Sequence, residues 1–131
     1  MIEILHPEGW APARGYANGT AATGRHVFVG GQIGWNAAQE FESDDFVLQM
    51  TQTLRNVVAV VEAAGGGPDH VTRLTWFVKS KRDYLARQSE VGAAYRSVMG
   101  RHFPAMTMVV VADLIEDRAL VEIEATAVVP A

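Results

Sequence analysis

The chain has 131 residues, 49% of them hydrophobic, which is enough to bury the core of a single domain spanning 1–131. Eleven Lys and Arg against fifteen Asp and Glu leave a formal charge of −4, so there is no electrostatic footprint for nucleic acid or for an anionic membrane. The absence of cysteine excludes disulfides and cysteine-based metal sites.

No apolar run approaches the roughly 20 residues needed to span a bilayer. The first residues, Met1 to Leu5, are too short and too acidic for a secretory signal, so a cytoplasmic protein is expected. Ile2 to Leu5 reads as a short strand, closed by His6-Pro7-Glu8-Gly9. Trp10 to Thr23, rich in Gly, Ala and Pro, reads as a loop with one irregular strand around Tyr16. His26 to Ile33 is a strand with Val27, Val29 and Gly31 on one face and Phe28, Gly30 and Gln32 on the other. Gly30-Gly31 leaves backbone uncovered, which suits close approach of a ligand or chain, or a simple bulge.

Gly34 to Glu42 reads as a loop with an exposed Trp35. Ser43 is expected to cap a helix that has Asp44 and Asp45 in its first turn. Phe46, Val47, Met50, Leu54, Val57, Val58 and Val61 then recur at helical spacing, and Gly65-Gly66-Gly67-Pro68 ends the element. Val71 to Val78 is a strand. Ser80 and Asp83 resemble a capping box, and a second helix carries Tyr84, Leu85, Gln88, Val91, Tyr95, Val98 and Met99 on one side, with Gly100 beyond its end.

The stretch from Phe103 to Ala127 carries most of the chemistry. Thr107 to Val111 is apolar on both faces, as expected of a strand covered on both sides. Ala119 to Val129 alternates: Val121, Ile123, Ala125, Ala127 and Val129 form an apolar face, and Glu122, Glu124 and Thr126 lie on the other. Ile115-Glu116-Asp117-Arg118 is polar enough to turn the chain, so the two strands are expected to form a β-hairpin. The element order predicts an α+β fold, a mixed sheet of about six strands with two helices on one face. Its other face then needs cover from another chain in an oligomer.

Gly15-Tyr16, Val27-Phe-Val-Gly-Gly-Gln-Ile33, Leu54-Arg-Asn56, Ala63-Ala-Gly65, Phe103-Pro-Ala105 and Val121-Glu-Ile-Glu-Ala125 together resemble the RidA (YjgF) family over nearly the whole chain. The resemblance implies a chorismate-mutase-like fold and a homotrimer whose sheets line a central barrel, with a small-molecule cleft at each subunit interface. It also implies cofactor-independent hydrolysis of imines and enamines such as 2-aminoacrylate and 2-iminobutanoate. Glu122 matches the family's water-handling Glu. Tyr16, Gly31, Met106, Thr107 and Met108 fall at substrate-binding positions. Met106 stands where the family carries an Arg that pairs with the substrate carboxylate, and Met108 where a Cys is frequent. The Asn of the family's second helix has no clear counterpart; Gly92 stands near its place.

Imine hydrolysis needs a polarised C=N, a positioned water and a group to take its proton. Glu122 fills the last role once an interface removes it from bulk water; the plainer reading is a solvated strand Glu. Glu124 lies on the same face, about 7 Å along. Loss of a bidentate Arg–carboxylate contact costs roughly 1.5–3 kcal/mol, about ten- to a hundredfold in binding. Small α-imino acids should therefore be poor substrates unless another cation, such as Arg14 or His102, substitutes. Met106, Met108 and Trp35 would instead suit a larger imine or enamine. The alternative is a non-catalytic, metabolite-binding or chaperone-like trimer. Ribonuclease and translation-inhibitor names also attach to parts of the family, and the net charge speaks against that reading. His6, His26, His70 and His102 have no metal-ligand spacing, so no metal is expected. Lys79, Lys81 and Arg82 read as solvated charge at a helix start.

Overall fold

The structure, a computed structural model, describes residues 2–131; Met1, which opens the N-terminal stretch read above, lies outside them. The described elements are β1 (Glu3–Leu5), β2 (Gly19–Ala21), β3 (Arg25–Ile33), α1 (Phe46–Ala63), a 3-10 turn (Pro68–His70), β4 (Val71–Val78), α2 (Lys81–Leu85), α3 (Gln88–Met99), β5 (Ala105–Val110) and β6 (Val121–Val129). The fold is α+β, and its strands fall into two sheets rather than one of six. β1 and β2 form an antiparallel pair, and the other four lie in the order β3-β6-β4-β5. The irregular strand expected around Tyr16 is a single bridge from Ala17 to Ala105, and β2 begins two residues beyond it.

The alternation read in β6 is real. Val121, Ile123 and Ala127 are fully buried toward the helices, and Glu122 and Glu124 lie on the opposite face. β5 and β6 are not a hairpin, however. β4 lies between them, parallel to β5 and antiparallel to β6. The ten residues joining Val110 to Val121 hold no tight-turn dipeptide, so the chain is free to pass the end of β4 and enter the sheet on its far side. β5 is thereby an edge strand. It is not covered on both sides in the single chain, where Val109 and Val110 are exposed.

α1 follows its predicted stripe, with Met50, Leu54, Val57 and Val61 fully buried. Its cap is Asp45, not Ser43: the Asp45 carboxylate accepts from Leu48 N–H at 3.0 Å, and the Ser43 hydroxyl accepts from Asp45 N–H. Asp44 and Asp45 therefore precede the first turn. Gly65 at φ +87° ends the helix, as its sequence predicts. The second predicted helix is two, broken at Ala86-Arg87, so three helices are present among the described residues. Arg87 sits at an extended φ of −134° and reaches back to Asp45 and to Glu90, at 2.5 and 2.7 Å. Ser80 caps α2 by accepting from Asp83 N–H, half of the expected box.

Leu74, Trp76 and Val78 of β4 meet the helix layer. Trp76 stacks on Tyr95, which stacks on Phe103 with ring centroids 5.2 Å apart. Burial pushes the Tyr95 phenol up from its ordinary range, and the hydroxyl donates to the His102 carbonyl. The opposite sheet face carries no helix and exposes Phe28 at 76%.

Candidate functional site

Two bulges shape the sheet where the candidate residues lie. Between Val29 and Gln32 the register of β3 against β6 slips by one, and Gly30-Gly31 occupies the slip. The bulge reading of these glycines holds, and what comes close to Gly31 is a side chain of the same chain. A Cβ placed on Gly31 would stand 2.0 Å from Glu122 Oε2, so the Glu122 side chain lies directly against the Gly31 backbone. No larger residue leaves the carboxylate there. Glu122 itself pairs with Ile33 on one side and Phe77 on the other, and is half-buried.

Two side chains of α1 hold the strand ends on either side of Glu122. Gln49 is 1% exposed: its amide donates to the carbonyls of Ser43 and Arg118, and its oxygen accepts from Leu120 N–H at 2.8 Å. Asn56 donates to the Ile33 and Trp35 carbonyls at 2.9 and 2.8 Å. Gly34 packs so closely on Gln49 that a Cβ would lie 2.8 Å from the Gln49 Cβ. These positioning groups were not singled out as site residues. The only sequence signal for Gln49 is a polar residue inside the apolar stripe of α1.

Met106 and Met108 lie elsewhere. They pair with Leu74 and Trp76 across a parallel ladder, so their side chains share the helix-facing side and pack against the core. Glu122 is on the other face. Met106 is level with Ala125 two strands away, hence about 10 Å across the sheet and about 10 Å along it from Glu122. Thr107 alone of that trio lies on the Glu122 face, and it is exposed. Tyr16 is 43% exposed beside the outer edge of β5, where Ala17 N–H donates to the Pro104 carbonyl at 3.0 Å. A single chain thus assembles two groupings, Gly31 with Glu122 and Tyr16 with Met106–Met108, and keeps them apart.

The other candidates fall outside both groupings. Trp35 is half-buried rather than exposed. It packs on Phe41 with centroids 5.9 Å apart, Arg118 lies over the far ring, and the cavity beside them holds neither methionine. His102 Nε2 donates to the Val71 carbonyl at 2.6 Å, so it is committed to the fold. Arg14 is exposed and makes no hydrogen bond or ion pair among the described residues. Gly92 lies within α3, half-buried. Lys79 pairs with Asp113 at 3.2 Å. No helix of the described residues is long and apolar enough to cross a membrane.

A family model described as endoribonuclease L-PSP matches residues 8–129. The chain belongs to this family, that of the Rid (YjgF) proteins. A RutC family protein of Haemophilus influenzae is 36% identical over 128 residues, 98% of each chain. A 2-iminobutanoate/2-iminopropanoate deaminase of Escherichia coli K12 is 37% identical over 108 residues, 80% of each. A Rid-family protein of unknown function from Yersinia pestis has a solved structure that superposes with a TM-score of 0.83 at 30% identity, covering 98% of both chains. The fold is therefore that of the Rid proteins, whose curated relatives include imine deaminases.

Proposed function

We propose that this Rid-family chain is a cofactor-independent imine or enamine deaminase, or a related hydrolase, whose substrate lies outside the small α-imino acids. It works as a homotrimer in the cytoplasm, with no metal. The observation that carries the reading is the contact of Glu122 with the Gly31 backbone, while Met106 faces the other side of the sheet. A cleft containing both groupings then draws Glu122 and Gly31 from one subunit and Tyr16, Met106 and Met108 from the next, with Thr107 pointing to the opposite face. The exposed β5 edge supplies the surface for such packing.

In this cleft Glu122 orients a water and takes its proton as the oxygen adds to the C=N carbon. The nitrogen gains a proton, the C–N bond of the carbinolamine breaks, and ammonia leaves as the carbonyl forms. Water supplies the oxygen and the hydrogens, so no redox partner enters. Met106 and Met108 present adaptable apolar surface in place of a cation, which favours a bulkier, less acidic substrate.

The test is ammonia release from 2-iminobutanoate and from bulkier imines without a carboxylate. The reading expects the bulkier compounds to react faster, and Glu122→Gln to lose on the order of a hundredfold or more. Rapid turnover of 2-iminobutanoate would remove the Met106 argument, and full activity in Glu122→Gln would remove the base. The packing of Met106 and Met108 against the core favours one other reading, a binding trimer without chemistry. Inert imines, with apolar ligands raising the melting temperature, would select it.

A further inference from the structure

The sheet face away from the helices holds a second polar grouping. At the N-terminal end of β4, two residues stand against one of β6, because Val71 pairs with Ala127 and Arg73 with Thr126. Beyond the bulge the strand alternates regularly, so Arg73, next to the buried Leu74, stands on the helix-free face beside Thr75. There Arg73, Thr75, Glu124, Thr126 and Phe28 line a cleft of about 230 Å³. This is below the roughly 300 Å³ at which drug-sized pockets begin, so it suits a very small ligand.

Among the described residues, none of the polar side chains in this cleft makes a hydrogen bond or ion pair. Arg73 and Glu124 enter no ion pair or hydrogen bond among the described residues, although their strand positions are diagonal neighbours, about 7–8 Å apart. The Thr75 and Thr126 hydroxyls are likewise unengaged. By contrast Thr72, one residue before Arg73, donates to the Thr126 carbonyl at 3.0 Å and so holds the bulge. A cation, an anion, two hydroxyls and an aromatic wall therefore converge on one small space.

We propose that the cleft between Arg73 and Glu124 binds a small zwitterionic α-amino acid. Arg73 takes the carboxylate, Glu124 takes the ammonium group, and Phe28 packs on the apolar side chain. A guanidinium offers a carboxylate two parallel donors, and the carboxylate of Glu124 accepts from an ammonium. The site is separate from Glu122, which lies about 7 Å beyond Glu124 along β6. In the proposed trimer it opens toward the space the three sheets enclose, one site per chain. It requires no hydrolysis at Glu122.

Calorimetric titration of the full-length protein with L-valine, N-acetyl-L-valine and L-valinamide tests this. The expected result is one L-valine per chain, with each derivative at least about tenfold weaker. Arg73→Gln should abolish the preference over valinamide, and Glu124→Gln the preference over N-acetylvaline. Thr75→Val, a milder change, should weaken L-valine alone if either charge variant fails to fold. Glu122→Gln should still bind L-valine, which separates this site from the proposed deaminase. Absence of heat with L-valine, equal binding of all three compounds, or undiminished binding in folded Arg73→Gln would overturn it.

Discussion

At the β3–β6 end of the sheet, Glu122 is held inside a backbone frame. Gly31 leaves room for its carboxylate, Gln49 ties the segment entering β6, and Asn56 ties the segment leaving β3. At the β5 edge, Met106 and Met108 have only packing on one side and Ala17 bridged to Ala105 on the other. The first region specifies where one carboxylate stands. The second specifies little beyond a half-buried apolar surface.

Gly31→Ala should break that contrast most strongly. The added Cβ meets the flexible end of Glu122, which swings away, so the melting temperature should barely move. Displacing the carboxylate by an ångström or more should cost on the order of a hundredfold in imine hydrolysis, read by ammonia release. An active Gly31→Ala protein would show that the close contact is incidental. Gln49→Leu attacks the same frame through stability. It removes the side-chain partner of three part-buried backbone groups, and denaturant unfolding should show a loss of about 1–3 kcal/mol.

Met106→Arg addresses the other region. It should raise turnover of 2-iminobutanoate about tenfold or more while leaving Glu122 in place. No gain would mean that position 106 does not face substrate. Asp45 belongs to neither region and serves as a control. Hydrogen bonding from Arg87, and then from Leu48 N–H, holds its carboxyl below the ordinary 3.8. A depressed value stabilises the fold above the unfolded-state value and ceases to do so as pH falls through the folded one. Asp45→Ala should therefore cost about 1 kcal/mol at neutral pH, and the difference from wild type should shrink below about pH 4, with imine chemistry unaffected.

The parts legible in the sequence were those written as local patterns. The period-two alternation of β6 placed Glu122 opposite a buried face, and the stripe of α1 placed Met50 to Val61 in the core. Strand order was not legible, because nothing in Val111 to Leu120 states that β4 will lie between β5 and β6. That one fact decides which side of the sheet Met106 shares with which partner. The break at Arg87 escaped for a related reason: the residue at the break pairs with Asp45, 42 positions away in the chain, which no local pattern announces. Gly31 was identified by its motif, but its contact with Glu122 needed the folded register.

The central claim is that the site is complete only between two chains, and mixed trimers test it directly. Glu122→Gln disables one grouping, and Met106→Glu, which puts a carboxylate into the apolar half, disables the other. Each variant alone should be inactive toward the bulkier imines. Refolded together in equal amounts, they should recover about a quarter of the wild-type rate, because random assembly leaves that share of interfaces with both halves intact. Activity that stays at the level of the separate variants would place the whole site within one chain and contradict the account.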